Sequence, residues 1–106
     1  MVDSAVAGAD LYGGVITIEP GATIPLHWHQ RGEIQLVLDG SGVLLRPDGR
    51  ATPVSRRSAV FSPAGREGAH GFRNTGRRPL AILFFYKAPG GSRPRFIALK
   101  PRSASR

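Results

Sequence analysis

Cysteine is absent from the 106-residue sequence, which excludes disulfide bonds, thiolate zinc sites and thiol catalysis and favours a reducing, cytoplasmic location. Long hydrophobic runs are absent too. The longest, LAILFFY at residues 80–86, is far shorter than the roughly 18 residues that span a membrane. The first residues, MVDSAVAGADLYGG, lack the features of a signal peptide. The length predicts one domain over residues 1–106, with a core at about 11–99 and flexible termini.

Acidic residues are scarce, with 7 against 15 lysines and arginines, and the formal net charge is +8. A balance of this kind raises the question of nucleic-acid binding. The basic residues are nevertheless spread over predicted loops, with a modest cluster in the C-terminal SRPRFIALKPRSASR. No basic helix and no alternation of basic with aromatic residues is present. We therefore expect a small-molecule ligand or substrate, and not nucleic acid or a membrane, as the partner.

Glycine and proline, with 14 and 9 residues, divide the chain into short runs rich in valine, isoleucine, leucine and phenylalanine. Turn signals recur at the roughly 8–12-residue spacing that is typical of β-sandwiches and barrels. No window has the apolar periodicity of an amphipathic helix. The pattern predicts an all-β, antiparallel fold that is closed or nearly closed. The predicted strands are residues 14–19, 33–40, 42–46, 58–62, 70–74, 80–87 and 95–99.

Two of these runs have informative faces. In EIQLVLDG, residues 33–40, the strand period of two places Glu33, Gln35 and Val37 on one face and the intervening apolar residues on the other. The run LAILFFY is apolar on both faces. It is therefore either a core strand that is covered on both sides or a strand at a subunit interface.

Histidine is the rarest chemistry-bearing residue, and two of the three histidines stand one residue apart in HWHQRGE. Side chains at i and i+2 of a strand share a face, with Cα atoms about 6.5–7 Å apart. His27 and His29 therefore point the same way, with Trp28 on the other face, and both imidazoles can reach one ion. Glu33 follows after a short break, and its carboxylate can return to the same ion.

The remaining histidine, His70, lies far along the chain, but an antiparallel barrel can place its strand beside the first pair. A His3Glu set suits Fe, Mn, Ni or Zn as a divalent ion with open coordination positions. The alternative is a fold that has these residues and binds no metal. Spacing does not distinguish among the four metals.

The run GATIPLHWHQRGEIQLVLDG resembles the first conserved motif of the cupin superfamily, G(X)5HXH(X)3-4E(X)6G. It agrees at every fixed position, namely Gly21, His27, His29, Glu33 and Gly40. The two motifs and the strands between them extend over roughly residues 14 to 90. The chain is thus similar to a small single-domain cupin.

The second cupin motif, G(X)5PXG(X)2H(X)3N, is approximated by PAGREGAHGFRN, which supplies Pro63, Gly65, His70 and Asn74. The sequence departs from the motif in two places. Arg57 stands where the motif has its first glycine, and four residues instead of two separate Gly65 from His70.

The resemblance implies a double-stranded β-helix, or jelly roll, with a divalent metal ion held inside the barrel mouth by His27, His29, Glu33 and His70. It implies a homodimer formed through the sheets. Cupins that resemble this chain include dioxygenases, lyases, isomerases and polyketide-cyclase-like proteins. A metal-dependent enzyme is therefore expected, with dioxygenase-type or lyase chemistry on a small oxygenated or carbonyl compound and Glu33 as a possible base. The alternative is a non-catalytic metabolite-binding or sensor cupin.

Strand alternation predicts the neighbours of the ion. Gln35 shares the face of Glu33, and Phe72 and Asn74 share the face of His70. Tyr86 ends a strand and carries an ionisable hydroxyl. These four residues, Gln35, Phe72, Asn74 and Tyr86, are the candidate substrate contacts; for each, an ordinary packing or hydrogen-bonding role is the alternative.

Overall fold

A computed structural model describes residues 2–8, 10–89 and 95–99 of the chain. Within those residues the protein is built almost entirely of β-strands, with a 3-10 turn at Arg66–Gly68, and no helix has the length and apolarity needed to cross a membrane. The strands are β1 Val2–Ala7, β2 Leu11–Ile18, β3 Thr23–Trp28, β4 Glu33–Asp39, β5 Ser41–Leu45, β6 Ala51–Ser55, β7 Ala59–Ser62, β8 His70–Arg73, β9 Leu80–Lys87 and β10 Ile97–Ala98.

The strands form two five-stranded antiparallel sheets. The first has the order β1-β2-β9-β4-β7 and the second the order β10-β3-β8-β5-β6. Neighbours within a sheet are mostly distant in sequence, as in a double-stranded β-helix. The predicted all-β jelly-roll fold is confirmed.

The core lies between the two sheets and is filled from both inner faces. In β4, Glu33, Gln35 and Val37 are buried, and Ile34 and Leu38 on the opposite face are exposed. The alternation predicted for this strand is therefore confirmed. The buried core cluster consists of Ile18, Val37, Leu44, Val54, Phe72, Leu80 and Ile82.

Strand β9 is central to the first sheet, between β2 and β4. Its inward side chains, from Leu80 to Tyr86 at every second position, are buried, which fits a core strand. Its outward face is apolar as well, and Phe85 on that face is exposed. The structure therefore covers this strand on its inward face, and a subunit interface on its outward face stays a prediction.

Three strands were not among the predicted runs, namely Val2–Ala7, Thr23–Trp28 and Ala51–Ser55. For the second, a strand was assumed around His27 and His29, but without bounds. Val2–Ala7, in the N-terminal stretch that was expected to be flexible, pairs with β2. Ala51–Ser55 pairs with β5 although it contains Pro53; it ends the order of its sheet, and proline is tolerated in edge strands. The predicted flexible C-terminus beyond residue 99 lies outside the described residues.

Backbone conformation explains the glycines of the first motif and the departure at Arg57. Gly21 and Gly40 have φ of 82° and 87°, a region that favours glycine. Arg57 has φ of 78° at the third position of a turn in which the Ser58 N–H donates to Ser55 O at 2.8 Å. The arginine thus occupies a glycine-type conformation where the motif has a glycine.

Candidate metal centre

The four predicted ligands meet between the two sheets. His27 lies on β3 and His70 on β8, and the two are direct partners in the antiparallel register. His29 follows β3 immediately, and Glu33 begins β4 in the opposite sheet. One ligand atom from each residue lies within 4.8 Å of all the others, and all four residues are buried. The sequence prediction that these side chains converge is confirmed.

The 3-10 turn explains how His70 reaches this position despite the longer spacing in the second motif. Arg66–Gly68 forms a compact turn, and Gly68 packs so closely on Pro63 that a Cβ there would overlap its carbonyl. The Gly65 N–H donates to His29 O at 2.8 Å, which joins the turn to the end of β3. The two extra residues are therefore taken up before β8 begins.

Each histidine is oriented by a backbone carbonyl. Nδ1 of His27 lies 2.9 Å from Pro25 O, and Nδ1 of His70 lies 2.9 Å from Gly68 O. Nδ1 of His29 lies 2.8 Å from Arg95 O. A carbonyl oxygen only accepts, so each Nδ1 carries a hydrogen and donates it. In the neutral rings the Nε2 lone pairs are consequently available to an ion.

Burial keeps two of these rings neutral. Desolvation lowers the pKa of His27 from 6.5 to about 4; the hydrogen bond to Pro25 opposes this shift, and His70 and His29 add to it. Desolvation also lowers the pKa of His29, against the negative charge of Glu33. The neutral imidazole is the form that binds metal, so no proton has to leave these two rings near neutral pH.

The carboxylate of Glu33 is the strongest sign that a cation belongs here. Its Oε1 lies 2.7 Å from Nε2 of His70 and 3.5 Å from Nε2 of His29, yet it is fully buried and has no hydrogen-bond donor. A hydrogen bond to His70 would require a proton on both of its ring nitrogens. In the neutral tautomer two lone pairs face each other, an arrangement that a bound cation would stabilise.

Two hydrogen-bond donors face the same lone pairs. The Gln35 amide nitrogen lies 3.1 Å from Nε2 of His70, and Ser62 Oγ donates to the other end of that amide at 3.3 Å. The Tyr86 hydroxyl lies 3.2 Å from Nε2 of His29. An ion on the Nε2 lone pairs would leave the Gln35 amide nitrogen beside a ligand bound next to it.

The four residues open into a cavity of about 220 Å³. Three of the predicted substrate contacts, Gln35, Phe72 and Tyr86, line it together with the four candidate ligands. Its other walls are apolar or aromatic and were not predicted as site residues: Tyr12, Ile16, Ile24, Ile82, Phe84 and Phe96. None of the lining residues in the described part of the chain is a lysine or an arginine.

Asn74 does not line the cavity. Its amide nitrogen donates to Ile18 O and Arg78 O, both at 2.8 Å, and its Oδ1 accepts from Gly76 N at 2.8 Å. The residue follows the end of β8, and its side chain joins the end of β2 to the loop that leads to β9. The structure thus places the Asn74 amide outside the cavity, with its nitrogen and its oxygen both bonded to backbone groups.

Comparison with known proteins agrees with this geometry. Residues 14–86 match the model of the Cupin domain family, Cupin_2, so the chain belongs to the cupins. A gentisate 1,2-dioxygenase of Ralstonia sp is 30% identical over 77 residues, which are 73% of this chain and 21% of that protein. The chain therefore spans about a fifth of that relative's length.

Two solved structures illustrate the likeness in fold. The polyketide cyclase RemF of Streptomyces resistomycificus matches with a TM-score of 0.75 and 25% identity over 89% of this chain and 63% of that one. A predicted oxalate decarboxylase of Thermotoga maritima matches with a TM-score of 0.66 and 26% identity over 74% and 67%. These relatives differ in their chemistry, so the function must be argued from the site.

Proposed function

We propose that this cupin is a metal-dependent enzyme that carries out dioxygenase-type chemistry on a small oxygenated compound, with lyase chemistry on a carbonyl compound as the second candidate. The observation that supports it most is the convergence of three Nε2 atoms and the donor-free carboxylate oxygen of Glu33 at one end of an apolar cavity. The similarity to a gentisate 1,2-dioxygenase favours the first candidate.

In this proposal His27, His29, Glu33 and His70 hold a divalent Fe, Mn, Ni or Zn ion. Such an ion would supply Lewis acidity toward a substrate oxygen and, for iron or manganese, redox chemistry. The backbone carbonyls that accept from each Nδ1 keep the rings oriented. Glu33 is both a ligand and the candidate base. It is the one acidic residue among the lining residues that the structure describes, and its carboxylate is buried.

The rest of the cavity orients the substrate and excludes water. The Gln35 amide and the Tyr86 hydroxyl are placed to donate hydrogen bonds to substrate oxygens. The apolar walls formed by residues such as Phe72 and Ile82 lower the local dielectric and strengthen those contacts. The cavity volume, about 220 Å³, lies below the roughly 300–1,000 Å³ range of drug-sized ligands, which supports a small substrate.

No lysine or arginine is among the described lining residues, which narrows the class of substrate further. A dicarboxylate could pair one carboxylate with the ion, but none of the described lining residues is a cation for the second one, whose desolvation is costly. A substrate with one chelating group for the ion and an otherwise uncharged body fits better.

The test begins with metal analysis by mass spectrometry of protein purified without chelator. The protein is then loaded with each of the four metals and screened with dihydroxylated aromatic and β-dicarbonyl compounds in an oxygen electrode. Oxygen consumption matched to substrate loss supports the dioxygenase. Substrate loss without oxygen uptake supports the lyase. Tight ligand binding without turnover by any metal-loaded form would contradict the enzyme and support a non-catalytic metabolite-binding cupin.

We also propose a homodimer formed through the outer face of the first sheet. The pairing register places Val6, Gly13, Phe85, Ile34 and Phe61 in one row across its five strands. The four side chains of this row are exposed, and Phe61 reaches 64%. A contiguous exposed apolar row is typical of a protein interface, and a self-complementary contact of two such faces buries it.

A further inference from the structure

A short C-terminal segment, Arg95–Leu99, contacts the candidate metal centre. The segment lies outside the part of the chain that matches the family model. The match ends at residue 86. Strand β10 of this segment pairs with β3, with Ala98 opposite His27. The Leu99 N–H donates to Leu26 O at 3.0 Å. The segment is therefore fixed along the strand that carries the first histidine.

This segment contacts two of the three histidines. Its Arg95 carbonyl accepts the hydrogen bond of His29 Nδ1 at 2.8 Å. Its Phe96 ring stacks on the His27 ring, with centroids 4.1 Å apart and planes 16° apart, and lies edge-on to His29 at 6.1 Å. The contact with His29 fixes the backbone next to Phe96, so the position of the ring is defined by the same contacts that orient the ligands.

Phe96 differs from the other phenylalanines of the cavity in its exposure. Phe72 and Phe84 are 4% and 6% exposed and belong to the packed interior. Phe96 also lines the cavity, yet 55% of its surface is exposed. One face of the ring is stacked on His27, and the exposed part of the ring borders the cavity.

We propose that Phe96 is a specificity-determining residue that selects planar aromatic or conjugated chelating ligands over aliphatic ligands with the same chelating group. The inference rests on the proposed function, because an ion held by the four ligands would bind the ligand's chelating oxygens in the cavity that the stacked Phe96 and His27 rings line. An aromatic body on the ligand then gains a ring contact with Phe96, worth about 0.5–1.5 kcal/mol beyond area burial. A methyl group in its place cannot make that contact.

The experiment uses two hydroxamates that share one chelating group. The full-length protein is loaded with Zn(II), and the Kd values of benzohydroxamate and acetohydroxamate are measured by calorimetry for the wild type and for Phe96→Ala, Phe96→Leu and Phe96→Trp. The ratio of the two Kd values cancels the intrinsic affinity of the chelating group. Phe61→Ala, an exposed phenylalanine on the outer face of the first sheet, is the matched control.

The expected result is a preference for benzohydroxamate that falls about fivefold in Phe96→Ala, falls less in Phe96→Leu, and is kept in Phe96→Trp and Phe61→Ala. One zinc per chain in every variant shows that the centre itself is intact. An unchanged ratio in Phe96→Ala would overturn the inference and leave the proposed function standing. Wild-type protein that binds no zinc, or binds the hydroxamates equally well without it, would overturn both.

Discussion

Oε1 of Glu33 lies 2.7 Å from Nε2 of His70, yet no hydrogen bond joins the two atoms. A carboxylate oxygen accepts hydrogen bonds, and the ring hydrogen of the neutral His70 lies on Nδ1, which donates to Gly68 O. The two residues come from opposite sheets, β4 and β8, so the fold itself creates the contact. Three backbone carbonyls hold the hydrogens of the imidazoles on the far side of each ring. The site is therefore arranged for a cation.

Acid should destabilise the metal-free protein through His27. Its pKa is lowered by burial to about 4 in the folded state from its ordinary value of 6.5, so between these values the unfolded chain binds a proton that the folded chain does not. This contribution to stability is complete above pH 6.5 and is lost as the pH falls through 4, by roughly 3 kcal/mol. Urea unfolding in the presence of a chelator at pH 7 and pH 4.5 measures the loss.

His27→Gln is the control for this pH dependence, because glutamine does not titrate. Its free energy of unfolding should change less between pH 7 and pH 4.5 than that of the wild type. Part of the pH dependence should remain, because burial lowers the pKa of His29 as well. Equal slopes in the two proteins would show that His27 is not the group responsible.

Arg57→Gly should stabilise the protein by about 0.5–1 kcal/mol, because a non-glycine residue at φ of 78° is strained. The gain is limited by the greater freedom of glycine in the unfolded chain. Arg56→Gly is the matched control, since among the described non-glycine residues only Arg57 has positive φ. The control should lower the free energy of unfolding. Thermal unfolding of both variants checks the prediction, and a loss of stability in Arg57→Gly would contradict it.

Asn74→Ala should unfold more easily by about 3 kcal/mol, because it leaves the carbonyls of Ile18 and Arg78 without their donor in a buried setting. It should not change the Kd of a hydroxamate for the zinc-loaded protein. Gln35→Ala is the comparison, since Gln35 lines the cavity and its loss should weaken binding. A weaker hydroxamate affinity in Asn74→Ala would contradict the prediction and show that Asn74 contributes to ligand binding.

Phe61→Asp should disrupt the proposed homodimer by placing a charge in the apolar row of the first sheet. Light scattering of the wild type should give twice the chain mass of 11.3 kDa, and the variant should give a single chain. Ser41→Asp, which adds the same charge at an exposed position of the second sheet, should stay dimeric. A monomeric wild type would contradict the proposal.

Local spacing was enough to predict the first part of the site. The strand period alone puts the imidazoles of His27 and His29 on one face. Glu33 comes back to them across the short break at residues 30–32, as the first residue of β4 in the opposite sheet. His70 required the assumption of an antiparallel neighbour, and the register of β3 with β8 confirms it. Asn74 is four residues after His70, so in a continuous strand its side chain would lie on the same face. Strand β8 ends at Arg73, however, and the alternation of faces no longer applies to Asn74.

The remaining walls depend on pairings that no local pattern encodes. Tyr12 reaches the cavity because β2 pairs with β9, and Phe96 because β10 pairs with β3. The contact between His29 and Arg95 uses a backbone carbonyl, which every residue possesses, so the sequence has no signal for it. Contacts of this kind become visible only with the fold.

Metal titration of the stripped, full-length protein is the most direct test of the centre. In competition with a chromophoric chelator, the wild type should bind one Zn(II) or Mn(II) ion per chain. His29→Ala and Glu33→Ala should bind at least about a hundredfold more weakly, since even outer neighbours of metal ligands typically matter 10–100-fold. Glu67→Ala, which removes an exposed carboxylate, should bind like the wild type. A wild type that binds no ion, or a Glu33→Ala variant that binds as well as Glu67→Ala, would contradict the account.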